Sequence, residues 1–348
     1  MTALLHENAP FGPRDDAAFL AEINALTAAH IAGCGPYARV WPAFEAADSV
    51  EQLPWLHVGL FKSLEFRTES AEVQHERVLN SSATSSGVAS RIVLDRESSA
   101  LQAASSLAIL RDFVGDSKRP LVVLDSARSL VSRDVSARVA AAMSLKPLAS
   151  DLHFILADAG DPGSVKWDVL SGLLDEHDEL LVYGFTWMLW LAWADDVLPD
   201  SIRRALAGKR VQFVHSGGWK KLESLSVDHA TFNARLTDGL AAGSRVTDFY
   251  GLVEQVGIVY PLCEAGWRHV PVWADVLVRD PWTLASLVDA PGQLQLMNTL
   301  ARGAPYHNVL TEDLGRIVPG ACECGRAGKR FELLGRVPKA EVRGCANV

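Results

Sequence analysis

The 348-residue chain predicts an α/β fold: mostly parallel sheets flanked by helices, with a smaller β-rich portion toward the carboxyl end. Three observations carry that prediction. Residues 18–30 and 98–114 bring apolar side chains round at helical spacing. Residues 121–125, 152–156 and 211–214 are short apolar runs ended by polar residues, the pattern of buried strands. Strands that alternate with helices pair in parallel, and such sheets bind ligands at the carboxyl ends of their strands. Beyond Gly257 the pattern changes to short segments rich in valine, tryptophan and turn residues, as at 269–278, which supplies the β-rich portion.

The chain exceeds the usual size of one domain, yet no Pro/Gly/Ser linker or charge run divides it, so one body with subdomains is expected. It contains no internal repeat or low-complexity segment. Acidic and basic residues are mixed, 42 Asp and Glu against 33 Lys and Arg, which leaves no basic stripe to grip nucleic acid or an anionic membrane. Residues 1–10 lack the basic-then-apolar order of a secretory signal, so a cytoplasmic location is expected. The most apolar run, 180–194, contains Tyr183, Gly184 and Thr186 and falls short of the roughly 20 residues that span a bilayer. It reads as a buried strand leading into a helix, either plain core or the wall of a pocket.

The first ligand-binding candidate is Ser81-Ser82-Ala83-Thr84-Ser85-Ser86-Gly87, in which six of seven residues are small hydroxyl residues or glycine. Backbone N–H groups and hydroxyls in such a loop can surround a phosphate. An ordinary solvated loop has the same composition, and the Gly-Lys-Ser/Thr ending of a Walker loop is missing. His215-Ser216-Gly217-Gly218-Trp219-Lys220-Lys221 follows, with two glycines that let backbone approach a flat base or simply end a strand in a turn. Phe249-Tyr250-Gly251-Leu252-Val253-Glu254 offers a carboxylate suited to a magnesium ion that bridges phosphates. Leu310-Thr311-Glu312-Asp313-Leu314-Gly315 and Gly335-Arg336 complete the set.

Five cysteines in such a chain point to metal or thiol chemistry rather than a disulfide framework. Cys263, His269, Cys322 and Cys324 make a Cys₃His set of the kind that holds tetrahedral zinc, or else are buried reduced cysteines beside a surface histidine. Cys345 stands apart from that set. Its thiol, with an ordinary pKa of about 8.5, has Arg343 and Lys339 nearby to favour the thiolate, so it is either a carrier thiol or an incidental residue. Cys34, between Gly33 and Gly35, reads as a structural residue in a turn.

In this order the motifs resemble those of the adenylate-forming superfamily, the acyl-CoA ligases and their relatives. The resemblance implies that Ser81, Ser82, Thr84, Ser85, Ser86 and Gly87 hold phosphate and that Gly217, Gly218 and Trp219 contact adenine. It further implies that Phe249 and Tyr250, with Gly251, stack near the base, that Glu254 holds magnesium, that Asp313 binds the ribose and that Arg336 is the basic residue of a hinge. Ala83, Ser86 and Glu312 depart from the usual pattern.

Residues 58–62, 90–95, 136–138, 183–186, 215–221, 263–266, 310–315 and 339–345 are similar to the LuxE-type acyl-protein synthetases, which activate an acid and deliver it to a reductase. This likeness covers nearly the whole chain. It implies the large N-terminal domain of an adenylate-forming enzyme over residues 1–330, divided near 205 and 206 and ending in a β-rich portion with structural zinc. Residues 331–348 would then form a hinge and a cysteine-bearing tail, with no carboxyl-terminal lid domain. The expected activity is ATP- and magnesium-dependent conversion of a carboxylic acid, of the fatty class, to an acyl-adenylate, helped by Lys220 or Lys221. Cys345 would receive the acyl group and pass it to an acyl reductase or another acceptor protein. Two other readings stand beside it: the same adenylation with coenzyme A or a carrier-protein thiol as acceptor, and a nucleotide-binding regulatory or scaffold protein without catalysis.

Overall fold

A computed structural model describes residues 3–81, 89–130, 137–194 and 198–337. Strand β1 (Leu56–His57) is followed by a hairpin of β2 (His75–Asn80) and β3 (Arg91–Asp95). The hairpin closes where the Ser81 N–H donates to the Ser90 carbonyl at 3.0 Å and the Ser90 N–H donates to Ser81 Oγ at 2.8 Å. The hydroxyl-rich segment begins at Ser81; Ser82, Thr84, Ser85, Ser86 and Gly87 lie outside the described residues.

The next six strands are β4 (Arg119–Val123), β5 (Ala149–Phe154), β6 (Glu179–Phe185), β7 (Arg210–Ser216), β8 (Arg245–Tyr250) and β9 (Tyr260–Pro261). They form one sheet in the order β5-β4-β6-β7-β8-β9, parallel up to β8 and antiparallel at β9. The expected strands at 121–125, 152–156 and 211–214 correspond to β4, β5 and β7. Their runs are continuously apolar because both faces are covered: Leu180, Val182, Val211 and Phe213 pack into one cluster, Leu181, Tyr183 and Val214 into another.

The two expected helices form at Asp16–Gly33 and Arg96–Val114. Asp15 caps the first by accepting from the Ala18 N–H at 3.0 Å, and Asp95 caps the second from the Ser98 N–H at 2.9 Å. Gly115, at φ +79°, stops the second. That helix lies so close to the chain after β8 that a Cβ on Gly257 would stand 2.5 Å from Gln102 Cα. The apolar run 180–194 resolves into β6, the helix Thr186–Leu189 and a π-helical turn, Trp190–Ala194.

The β-rich portion contains β10 (Arg268–His269), β11 (Ala274–Arg279), β12 (Ser286–Leu287), β13 (Gly292–Asn298), β14 (Asn308–Ile317) and β15 (Arg330–Arg336). Their order is β10-β15-β14-β13-β11-β12, and β1 joins β14 in parallel, with Leu56 opposite Val309 and His57 opposite Leu310. Two expected boundaries fall inside sheets. β6 and β7 pair from Glu179–Arg210 to Phe185–Ser216, so a division near 205 cuts the parallel sheet. Residues 331–336, expected to open a hinge, extend β15 against β14 as far as the Asp313–Arg336 pair. Cys345 lies outside the described residues. Among the described residues no helix is long and apolar enough to cross a membrane.

Candidate active site

Tyr250 ends β8, Asp313 stands on β14 and Arg336 ends β15, so the site forms where the two large sheets meet. The Tyr250 hydroxyl donates to Asp313 Oδ2 at 2.8 Å, and Arg336 Nε lies 3.3 Å from Oδ1. The Asp313 N–H donates to Thr311 Oγ1 at 3.0 Å, which steadies the strand at this point. Burial raises the Asp313 carboxyl above its usual range, against the opposing effects of Tyr250 and Arg336. The Tyr250 hydroxyl is raised well above its own usual range, first by burial and then by the Asp313 charge.

Glu254 follows on the one-turn helix Val253–Gln255 and is 5% exposed. Burial raises its carboxyl, the Ser90 hydroxyl and the Lys62 charge oppose the shift, and Asp313 adds to it. Ser90 is bonded to Ser81 where β2 ends and β3 begins, so Glu254 lies beside that end of the hairpin. Among the described residues it has no ion-pair partner. A desolvated carboxylate without its own cation fits a magnesium ion.

Lys62 was not singled out for a role by the sequence reading, although it ends one of the family-like stretches. β1 docks on β14, the Val58 N–H donates to the Leu310 carbonyl at 2.8 Å, and the helix Leu60–Ser63 follows. Glu65 then pairs with Arg91 at 3.1 Å, tying this segment to the start of β3. Lys62 is half-buried there, with its charge acting on Glu254 and on His57, and His57 in turn feels Glu312.

Gly217 adopts φ +75°, a conformation that favours glycine, and nothing lies within 4 Å of where a Cβ of Gly218 would point, so backbone is open to a ligand there. Trp219 packs edge-on against Trp190, with ring centroids 5.6 Å apart, and against Phe232. Strand alternation separates Phe249 from Tyr250: Phe249 is buried in the central core and Tyr250 alone reaches Asp313. The motif pairs two aromatics that the pleat sends to opposite faces. Lys220 and Lys221 open the 3₁₀ segment Lys220–Leu225, which kinks at Leu222, and their side chains lie outside the described residues.

The four expected metal ligands come together. Cys263 Sγ and Cys322 Sγ are 3.8 Å apart, Cys324 Sγ is 3.3 Å from His269 Nε2, and all four ligand atoms lie within 4.8 Å of one another. Thiolates at about 2.3 Å around a tetrahedral zinc stand about 3.8 Å apart, so the set fits that ion. Burial, reinforced by the neighbouring Cys324 and Cys322, pushes the Cys263 thiol up to about 11, a cost that a bound cation would remove. His269 comes from β10, Cys263 from the turn before it, and the other two cysteines from the β14–β15 connection. Cys34 is buried at a helix start.

The model of the family described as "Acyl-protein synthetase, LuxE" matches residues 43–348. A long-chain-fatty-acid–luciferin-component ligase of Aliivibrio fischeri is 28% identical over 142 residues, 40% of this chain and 37% of that protein. The protein of the same name from Vibrio harveyi is 29% identical over 143 residues, 40% of this chain and 36% of its own length. The matched stretch thus spans little more than a third of either relative. Among solved structures, an open conformation of 2-hydroxyisobutyryl-CoA ligase superposes with TM-score 0.65 at 17% identity, covering 94% of this chain and 76% of that one. The same enzyme in its postadenylation state gives 0.63 at 16%, covering 92% and 68%. At such identities the likeness shows the adenylate-forming fold.

Proposed function

Because the chain belongs to the LuxE acyl-protein synthetase family, we propose that it activates a carboxylic acid of the fatty class with ATP and magnesium, then passes the acyl group to a thiol. The observation that carries this reading is the convergence of Tyr250, Asp313 and Glu254 near Ser90. An oxygen of the acid attacks the α-phosphorus of ATP, the bond to the bridging β-phosphate oxygen breaks, and acyl-adenylate and pyrophosphate result. Asp313, held by Tyr250, positions the ribose hydroxyls, and the backbone at Gly217 and Gly218 accommodates adenine. Glu254 would hold the magnesium ion, which neutralises phosphate charge when bound. Lys62, with Lys220 or Lys221 and the turn from Ser81 to Gly87, adds positive charge and donors around the leaving group.

The Cys345 thiolate then attacks the acyl carbon, and AMP departs with the carboxyl oxygen it gained, leaving a thioester. The thiol proton passes to solvent. An acyl reductase or other acceptor protein takes the group from there. Cys263, His269, Cys322 and Cys324 hold a structural zinc, since four protein ligands leave no open position for substrate.

Intact-protein mass after incubation with ATP, magnesium and a panel of acids tests the whole reading, with Cys345→Ser alongside. An acyl mass on the unaltered chain only, removed by hydroxylamine, is the expected result. Acid-dependent pyrophosphate release without added mass would assign the acceptor role to coenzyme A or a carrier protein. No pyrophosphate with any acid would sink the adenylation itself.

A further inference from the structure

His215, near the end of β7, is 2% exposed, and its ring is fixed on one side only. The Thr186 hydroxyl lies 2.9 Å from Nδ1 and 2.5 Å from the Gly217 carbonyl. A hydroxyl has one proton. The Gly217 carbonyl can only accept, so Thr186 donates to it and receives its second bond from Nδ1–H. Asp248, whose Oδ1 lies 3.8 Å from Nδ1 and whose Oδ2 is taken by Arg268, favours the proton at the same nitrogen.

Nε2 is therefore the bare nitrogen, a lone pair, and among the described residues it has no partner. The Phe232 ring stands 4.8 Å from the imidazole and packs with Trp190 and Trp219. Bordering the same apolar cluster is Trp187, whose Nε1–H is also buried without a partner among the described residues. The π-helical turn Trp190–Ala194 belongs to the same cluster, a rare local geometry that recurs at functional sites. An unpaired buried acceptor, whose other nitrogen is held by the threonine that also bonds the Gly217 carbonyl, sits beside the glycines that open to the ligand and calls for a group that donates. A hydroxyl does so. Burial holds the imidazole down to about 4, so it accepts a hydrogen bond rather than acting as a base near neutrality.

We propose that His215 is a specificity-determining residue of the acid pocket, its Nε2 accepting a hydrogen bond from a hydroxyl carried on the body of the acid, which makes the substrate class a hydroxylated acid. This rests on the adenylation reading above and narrows it.

The test is acid-dependent pyrophosphate release by the full chain, with straight-chain and phenyl-bearing acids compared, each with and without one hydroxyl. In the unaltered protein one hydroxyl position is expected to raise kcat/KM by about tenfold or more over its deoxy partner, because a buried acceptor left bare penalises the deoxy acid. In His215→Phe that ratio falls to about one. In His215→Gln, whose amide oxygen can reach the Nε2 position, part of it returns. A ratio near one for every pair, or a preference that survives His215→Phe, overturns the proposal. If no acid releases pyrophosphate, the adenylation reading fails instead, and nitrogen NMR of the unaltered protein decides this one separately. An unprotonated Nε2 that shifts upfield with a hydroxylated acid and not with its deoxy partner supports it; a protonated Nε2, or no shift, overturns it.

Discussion

Glu254 and Asp313 illustrate how far single residues could be read. Both were legible as carboxylates in ordered motifs, but their burial was not. That burial leads to separable predictions. Glu254→Gln removes the charge that would meet the phosphates and should lower acid-dependent pyrophosphate exchange about 100-fold or more. The melting temperature should hold or rise, because an unpaired buried carboxylate costs stability. Tyr250→Phe deletes only the hydrogen bond to Asp313, so the KM for ATP should rise about five- to tenfold with kcat nearly unchanged, as steady-state kinetics would show. Phe249→Leu, at the neighbouring position in the core, should lower the melting temperature and leave the KM for ATP in place. An equal effect of both changes on ATP would refute the separation of the two aromatics.

At the scale of elements, the cysteine corner depends on three chain segments brought together by β10 and β15. Purified protein should carry one zinc per chain by elemental analysis. Cys322→Ser or a strong chelator should remove it and lower the melting temperature by several degrees, since metal binding contributes directly to folding. A chain free of zinc with an unchanged melting temperature would leave the four residues as buried thiols and a histidine. The ligand types were readable from composition, whereas their convergence required His269 to pair with Arg330. Lys62 was unreadable for the same reason: its approach to Glu254 depends on β1 pairing with β14, a contact that no local pattern announces.

Across the whole molecule, three buried histidines tie distant parts together and make stability depend on pH. His30 and His307 stack with ring centroids 4.8 Å apart; Thr27 holds His307 at 2.9 Å and Thr68 holds His30 at 2.7 Å. Burial lowers His30 to about 3, His215 to about 4 and His307 well below its usual value. In the unfolded chain each takes up a proton near pH 6.5, and in the folded chain only far below that. Their contribution is therefore complete above about pH 6.5 and is lost as pH falls, at up to about 4 kcal/mol per pH unit for the three together. Melting temperature should drop steeply between pH 7 and pH 5, and His30→Gln should make that slope shallower. A flat profile over the interval would show that these rings are hydrated in solution.

The sequence by itself determined the α/β alternation, the order of the nucleotide motifs and the membership of the cysteine set, because periodicity, spacing and residue type are local properties of a chain. Tertiary structure alone decided which aromatic faces Asp313, that Lys62 approaches Glu254, that residues 331–336 belong to a sheet and that His215 presents a bare nitrogen. Each of these depends on contacts between segments far apart in the chain, where register, burial and shared protons arise only once the sheets have formed.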